Sequence, residues 1–76
     1  MDDRDAVLAA LSATYGPILT AKQIAGLIGV SATTVYHWSR IRKAGFPRPV
    51  RFGREYRWWT EDYAEWSRRL ALRDVG

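Results

Sequence analysis

The sequence has no cysteine, a single histidine and no long apolar run. The absence of cysteine excludes disulfide bonds, thiolate zinc sites and cysteine nucleophiles. His37 stands without the partner residues that a metal site or a catalytic base requires, so we expect no metal, no cofactor and no catalytic residue. The apolar runs fall far short of the ~20 residues that span a bilayer, and the acidic start D-D-R-D is unlike a signal peptide. These absences predict a soluble intracellular protein that is not an enzyme.

Negative charge is scarce in the middle of the chain. Residues 31–60 carry seven arginine and lysine residues against Glu55 alone, a net charge of +6, whereas residues 1–30 and residues 61–76 each have a net charge of −1. Six of the seven are arginine, which holds a phosphate or a guanine edge through two parallel hydrogen bonds. A basic cluster of this kind is more typical of nucleic-acid binding than of a solvated surface. Nucleic acid is therefore the expected partner.

The pattern between residues 20 and 44 predicts two short helices joined by a tight turn. Thr20 can cap the first helix while Gln23 returns the hydrogen bond, which forms a capping box. The apolar face of this helix consists of Ile24, Leu27 and Ile28. Gly29 ends it, because the residue after a helix often adopts a left-handed backbone that glycine reaches without steric cost. Helices joined in this way form a helix-turn-helix, whose second helix commonly lies in the major groove of double-stranded DNA.

The second helix is predicted over residues 32–44, with Ser31 as its N-terminal cap. The side chains expected to face the core are Val35, Trp38 and either Ile41 or the aliphatic stem of Arg42. Arg40 lies on the opposite side, and arginine bidentate to guanine is the commonest specific contact in the major groove. Tyr36 has two open interpretations, a cover for the edge of the core or a contact to DNA. The predicted DNA-binding residues of this segment are Ser31, Thr33, Thr34, Tyr36, His37, Arg40 and Lys43.

Gly45 ends that helix, and the prolines that follow favour extended backbone. Residues 49–59 then alternate as a two-stranded hairpin around a Gly53-Arg54-Glu55 turn. An isolated hairpin is marginal in water, so its apolar face is expected to pack on the helices. The residues of that apolar face are Val50, Phe52, Tyr56 and Trp58. A basic hairpin after a helix-turn-helix is a wing, with a structural flap as the open alternative. The wing residues predicted to bind DNA are Arg51, Arg57 and, at the tip, Arg54.

Two further helices flank this unit. A helix over residues 3–14 has an apolar side formed by Val7, Leu8 and Leu11, and Tyr15-Gly16-Pro17 ends it. A closing helix over residues 61–72 is capped by Thr60 and packs back through Tyr63, Trp66 and Leu70. No linker or repeat interrupts the sequence, so residues 1–76 are expected to form one domain. The predicted fold is mostly α with a small β-hairpin, a winged helix-turn-helix of three to four helices and a two-stranded wing.

These residues resemble a known family, the AlpA and Xis type of phage and mobile-element excisionases, whose compact winged helix is similar to the DNA-binding end of MerR regulators. The matching segments are T-A-K-Q-I-A-G-L-I-G-V-S-A-T-T-V-Y at 20–36, G-F-P-R-P-V-R-F-G at 45–53, R-W at 57–58 and E-D-Y-A-E-W at 61–66. The resemblance covers about residues 18–70. The helix at residues 3–14 and the extra residues between Trp38 and Gly45 depart from the minimal family pattern.

The resemblance implies a recombination directionality factor of the bacterial cytoplasm, associated with the nucleoid. Such a protein binds and bends attachment-site DNA and recruits an integrase or recombinase so that excision is favoured. Because one winged domain covers only about 600–1,000 Å² of protein surface on DNA, we further expect neighbouring copies to bind cooperatively. Transcriptional regulators that bind operators and some phage terminase small subunits carry similar domains, so these uses stay open. A protein-interaction adaptor is a further alternative, and no membrane partner is expected.

Overall fold

The computed structural model describes the backbone of residues 3–75 and the side chains of residues 6–70. In chain order its elements are α1 (Asp3–Tyr15), β1 (Ile18–Leu19), α2 (Ala21–Ile28), α3 (Ala32–Ile41), a 3-10 turn (Lys43–Gly45), β2 (Val50–Phe52), β3 (Glu55–Trp59) and α4 (Thr60–Val75). Within this part of the chain the fold is mostly helical, with four helices and one three-stranded antiparallel sheet in the order β1-β3-β2. The hairpin of β2 and β3 agrees with the range predicted for it.

The third strand was not predicted. Ile18 and Leu19 pair with Trp59 and Trp58 on the free edge of β3. The sequence offers only two residues there, too short a run to show the alternation typical of a strand. Leu19 is fully buried, so the strand brings the chain into the core just before α2 begins.

The hairpin register differs from the predicted one because its turn has two residues. Phe52 pairs with Glu55, which leaves Gly53 and Arg54 as the loop, and Gly53 has a φ of 66°. A positive φ at the first turn residue is typical of the type II′ hairpin turn. The prediction counted Glu55 in the turn, and an error of one residue transfers side chains to the opposite face of a strand.

The corrected register changes which arginine faces the helices. Arg51 pairs with Tyr56 and lies on the same face as Trp58, so it belongs to the side of the sheet that packs on α3. Phe52 lies on the other face, where its ring contacts the exposed ring of Trp59. The predicted division into an apolar and a basic face is therefore wrong, and Phe52 does not hold the hairpin against the helices.

A tryptophan from β3 lies at the centre of the core. Trp58 is 0% exposed, and its indole Nε1 donates to the hydroxyl of Ser39 at 3.0 Å and to the carbonyl of Pro47 at 3.2 Å. These two bonds join the sheet to α3 and to the loop that follows it. The other large buried side chains of the core are Leu19, Ile24, Val35, Phe46, Tyr63 and Trp66. The predicted inward positions of Val35 and Trp58 are confirmed.

Helix α3 ends three residues before the predicted end. Arg42 adopts a left-handed backbone with φ 55°, its amide donates to the Trp38 carbonyl, and its Nε donates to the Phe46 carbonyl at 2.7 Å. The early stop turns the chain so that Phe46 enters the core. Ile41 is 53% exposed and Arg42 is exposed as well, so neither takes the inward position expected of one of them. The prediction placed the helix stop at Gly45 because glycine is the usual left-handed residue.

The two outer helices pack on each other and close the fold. Leu11 of α1 and Leu70 of α4 contact the core, while Val7 and Leu8 are half-buried. Thr60, predicted as the cap, is the first residue of α4, and its hydroxyl donates to the Gly16 carbonyl at 2.7 Å. Its amide also donates to the Pro17 carbonyl at 2.9 Å. Thr60 thus joins the start of α4 to the end of α1, and α4 extends beyond the predicted 61–72 at both ends.

Candidate nucleic-acid interface

The turn between α2 and α3 has the local geometry that its residues predicted. Thr20 and Gln23 form the reciprocal capping box, with bonds of 3.1 and 2.9 Å. Gly29 is left-handed with φ 74°. The Ser31 hydroxyl accepts from the Thr34 amide at 3.1 Å and lies 2.9 Å from the Thr34 hydroxyl. Ser31 and Thr34, both predicted to bind DNA, are therefore partly engaged in hydrogen bonds with each other. Their first role is to form the N-terminus of α3.

Four predicted residues form the exposed face of α3. These residues are Thr33, Tyr36, His37 and Arg40. Arg40 Nη2 lies 3.3 Å from His37 Nδ1, and arginine has no acceptor, so it donates to an unprotonated Nδ1. The hydrogen bond engages one nitrogen of the guanidinium, and Arg40 stays exposed. This face presents two hydroxyls, a phenol ring, an imidazole and one guanidinium to the surroundings.

Tyr36 meets the first of its two open interpretations, a cover for the edge of the core, and its contact to DNA stays a prediction. Its ring lies 5.7 Å from that of Trp58 and covers the core there, yet the residue remains 46% exposed. The ring also lies 6.3 Å from that of Tyr56, in an edge-to-face arrangement. Tyr36, together with Ser39, therefore joins α3 to the hairpin.

Lys43 does not belong to the exposed face of α3. The helix ends before it, and its Nζ lies 5.5 Å from the centre of the Trp38 ring. Positions 36 and 38 of an α-helix differ by about 200° around the axis, so the Trp38 ring lies on the side away from Tyr36. Lys43 was expected within this helix, but it lies outside α3 because the left-handed Arg42 ends the helix and turns the chain away, and its contact to DNA stays a prediction.

The three hairpin arginines have different surroundings. Arg54 is exposed at the tip. Arg51 is exposed too, with its guanidinium carbon 5.8 Å from the Tyr56 ring centre and its Nε donating to the Gly53 carbonyl at 3.2 Å. Arg57 is half-buried and bonded both to the Glu55 carboxylate and to the Tyr56 carbonyl. The charge of Arg57 is therefore compensated, and Arg51 and Arg54 supply the hairpin's excess charge.

A groove of about 390 Å³ separates α3 and the start of α2 from the hairpin. Its lining residues are Thr20, Ala21, Lys22, Ala32, Tyr36, Arg54, Glu55, Tyr56 and Arg57. The lining holds three cations and one carboxylate, so its net charge is positive. Lys22 and Tyr56 were missed as site residues. One signal in the sequence indicates Lys22: it lies in the first turn of a capped helix, and helix N-termini attract anions.

A second cleft of about 340 Å³ lies between the segment after α3 and α4. Its charged residues are Arg42, Arg48, Arg69, Asp62 and Glu65. Glu65 accepts from Arg68 at 3.1 Å and lies 3.6 Å from Arg69 Nε. This cleft holds two carboxylates against three cations, whereas the groove beside the hairpin holds one carboxylate against three cations. It is therefore a weaker candidate for binding a polyanion.

Comparisons of the chain with protein-family models, with curated proteins and with solved structures gave no match. None of the helices in the described chain has the length and apolar character needed to cross a membrane. What the protein binds must therefore be inferred from the charge and geometry of its own residues.

Proposed function

We propose that this protein is a winged-helix protein that binds double-stranded DNA. The observation that carries the proposal is the contact of Tyr36 with Tyr56, which sets the exposed face of α3 beside a hairpin with excess positive charge. A helix of this length fits the major groove, and a basic hairpin next to it can follow the adjacent backbone or minor groove. The net charge of +6 over residues 31–60 supports the same partner.

Each element has its own role in this proposal. Arg40 on α3 reads a base edge, most simply guanine, because its free donors face outward. The groove between α3 and the hairpin takes the phosphodiester strand that runs between the two DNA grooves. Lys22 and Arg54 neutralise phosphates there, and the first turn of α2 adds the positive end of its helix dipole. Arg51 contacts the backbone from the hairpin side.

For the biological use of this binding we propose an excisionase, on the strength of the sequence resemblance. In this role the protein binds and bends attachment-site DNA in the bacterial cytoplasm and directs an integrase or recombinase towards excision. One domain of 76 residues makes a single-module footprint on DNA, which supports modest specificity for one copy. Neighbouring copies that bind cooperatively offset the ~1–6 kcal/mol needed to bend a short site.

The first experiment measures duplex binding by fluorescence anisotropy at several salt concentrations. If Lys22, Arg51 and Arg54 act together, about three phosphates are neutralised and log K falls against log salt with a slope of about −3. A single-stranded oligonucleotide of equal charge serves as the control. A salt-insensitive isotherm, or equal affinity for the single strand, would contradict the proposal.

Specificity is tested on a duplex selected from a random pool. Arg40→Ala is expected to cost about 1–3 kcal/mol on the selected sequence and little on random duplex. Arg69→Ala is the matched control, because Arg69 is an exposed arginine of α4 that lines the other cleft. Equal losses from both variants would show that α3 does not read the bases.

The excisionase role is tested separately on DNA with several adjacent sites. Electrophoretic shifts are expected to be stepwise and cooperative, with a mobility that depends on where the site lies in the fragment, as bent DNA requires. Independent filling of straight DNA would instead favour an operator-binding transcriptional regulator.

A further inference from the structure

The hairpin carries a cation held against an aromatic ring on its α3 side. Arg51 and Tyr56 are directly paired across β2 and β3, and the guanidinium carbon lies 5.8 Å from the ring centre. A guanidinium within about 6 Å of an aromatic ring is attracted to its electron-rich face. The bond from Arg51 Nε to the Gly53 carbonyl restrains the same side chain a second time.

Tyr56 connects this cation to α3. Its ring lies 6.3 Å from the Tyr36 ring at an interplanar angle of 67°, which is the favourable edge-to-face arrangement. Tyr56 is 42% exposed, whereas the neighbouring Trp58 on the same face is fully buried. A large ring left half in solvent contributes less to the core than a buried one, so its placement calls for another explanation.

The distal half of the hairpin needs such a contact. The pairs from β1 reach Trp58 and Trp59, which lie at the base of β3. A two-stranded hairpin beyond that base is marginal by itself in water, and a mobile hairpin would have to be ordered when it binds. The contact of Tyr56 with Tyr36 lies two residues further along β3, towards the tip.

We propose that Tyr56 is a positioning residue that holds Arg51 beside α3, so that the hairpin and α3 meet DNA as one preorganised unit. This inference rests on the proposed DNA binding, and it makes Arg51 the residue that contacts DNA on the α3 side of the hairpin. Arg57 alternates with Tyr56 along β3 and is bonded to Glu55, so it is not the cation that Tyr56 holds. Preorganisation lowers the entropy that Arg51 loses on contacting a phosphate.

The arrangement is tested first in the free protein by nuclear magnetic resonance. The δ-methylene protons of Arg51 are expected to shift upfield under the ring current of Tyr56, and the shift should vanish in Tyr56→Ala but persist in Tyr56→Phe. Tyr56→Leu keeps apolar volume without a π face and should also lose the shift. An Arg51 shift unchanged in Tyr56→Ala would overturn the positioning role without any use of DNA.

The consequence for binding is tested by a double-mutant cycle on duplex DNA. Tyr56→Ala and Tyr56→Leu should each weaken binding about three- to ten-fold and lower the magnitude of the salt slope by about 1, and Tyr56→Phe should bind like the wild type. Arg51→Ala alone and Arg51→Ala with Tyr56→Ala should bind equally, because the tyrosine acts through the arginine. Arg69→Ala is the control cation, because Arg69 lies on α4 and lines the other cleft, and it should change binding by less than about two-fold.

Two outcomes separate this inference from the proposed function. Additive losses of Arg51 and Tyr56 in a protein that binds duplex DNA would overturn the positioning role alone. A wild-type protein with no affinity for duplex DNA would overturn both. Melting curves for every variant show whether a loss of binding arises from unfolding, and Tyr56→Leu keeps the test valid if the alanine variant does not fold.

Discussion

Trp58→Phe is the sharpest test of the core, because one indole joins three parts of the fold. The substitution removes the Nε1 donor, so the buried Pro47 carbonyl loses its partner and the Ser39 hydroxyl loses one of its own. Leaving a buried acceptor unsatisfied costs about 1–3 kcal/mol. The smaller ring also leaves a void, since Trp58 is 0% exposed and its neighbours relax only in part. Together we expect a loss of about 2–4 kcal/mol.

That loss is large for a domain of this size. At about 0.05–0.15 kcal/mol per residue the whole stability is about 4–11 kcal/mol. Trp58→Phe should therefore remove about a fifth of it or more, and Trp58→Ala, at about 3–5 kcal/mol or above, should approach unfolding. The measurement is urea denaturation followed by circular dichroism. Trp59→Phe is the adjacent control: Trp59 is 43% exposed, and its loss should stay within about 0.5 kcal/mol. Equal midpoints for the two phenylalanine variants would refute the assignment of Trp58 to the core.

Two further predictions concern stability. Ala44→Gly should stabilise the protein by about 0.5–1 kcal/mol in the same urea assay, because Ala44 is exposed and strained at φ 51°. As the control, Ala9→Gly in α1 should destabilise the protein. A destabilised Ala44→Gly variant would contradict the left-handed turn. Burial raises the pKa of the Tyr63 hydroxyl above its ordinary value of 10.0, with a hydrogen bond from Ser67 opposing the shift in part. The folded state therefore favours the neutral phenol, and the stability that this contributes is complete below pH 10 and is lost as pH rises through the raised pKa. Tyr63→Phe should weaken the alkaline decline of the melting temperature, and parallel declines would exclude a contribution from Tyr63.

The features that the sequence predicted correctly depend on near neighbours in the chain. The capping box of Thr20 and Gln23 spans three residues, and Gly29 ends α2 through its own backbone freedom. The apolar spacing also identified Val35 and Trp58 as buried. Such signals can be read without knowledge of the rest of the fold, which is why the positions of the helices, the turn and the hairpin were predictable.

The features that the sequence did not show depend on distant contacts. β1 exists because the free edge of β3 accepts it, and the two segments are about 40 residues apart along the chain. Helix α3 ends at Ile41 because Phe46 must reach the core, although the residues that follow include no glycine before Gly45. This early end of α3 explains why Lys43 lies outside the helix and why neither Ile41 nor Arg42 takes the expected inward position.

By itself, the sequence determined the helix-turn-helix segment, the basic middle of the chain and the identity of the residues exposed on α3, because charge and helical period are local properties. Tertiary structure alone decided which hairpin cation lies beside that face. The hairpin closes with a two-residue turn, which places Arg51 with Tyr56 on the α3 side and leaves Arg57 with Glu55 on the other. The side chains of a strand alternate with a period of two, so the pairing of Phe52 with Glu55 sets the direction of every arginine in the hairpin.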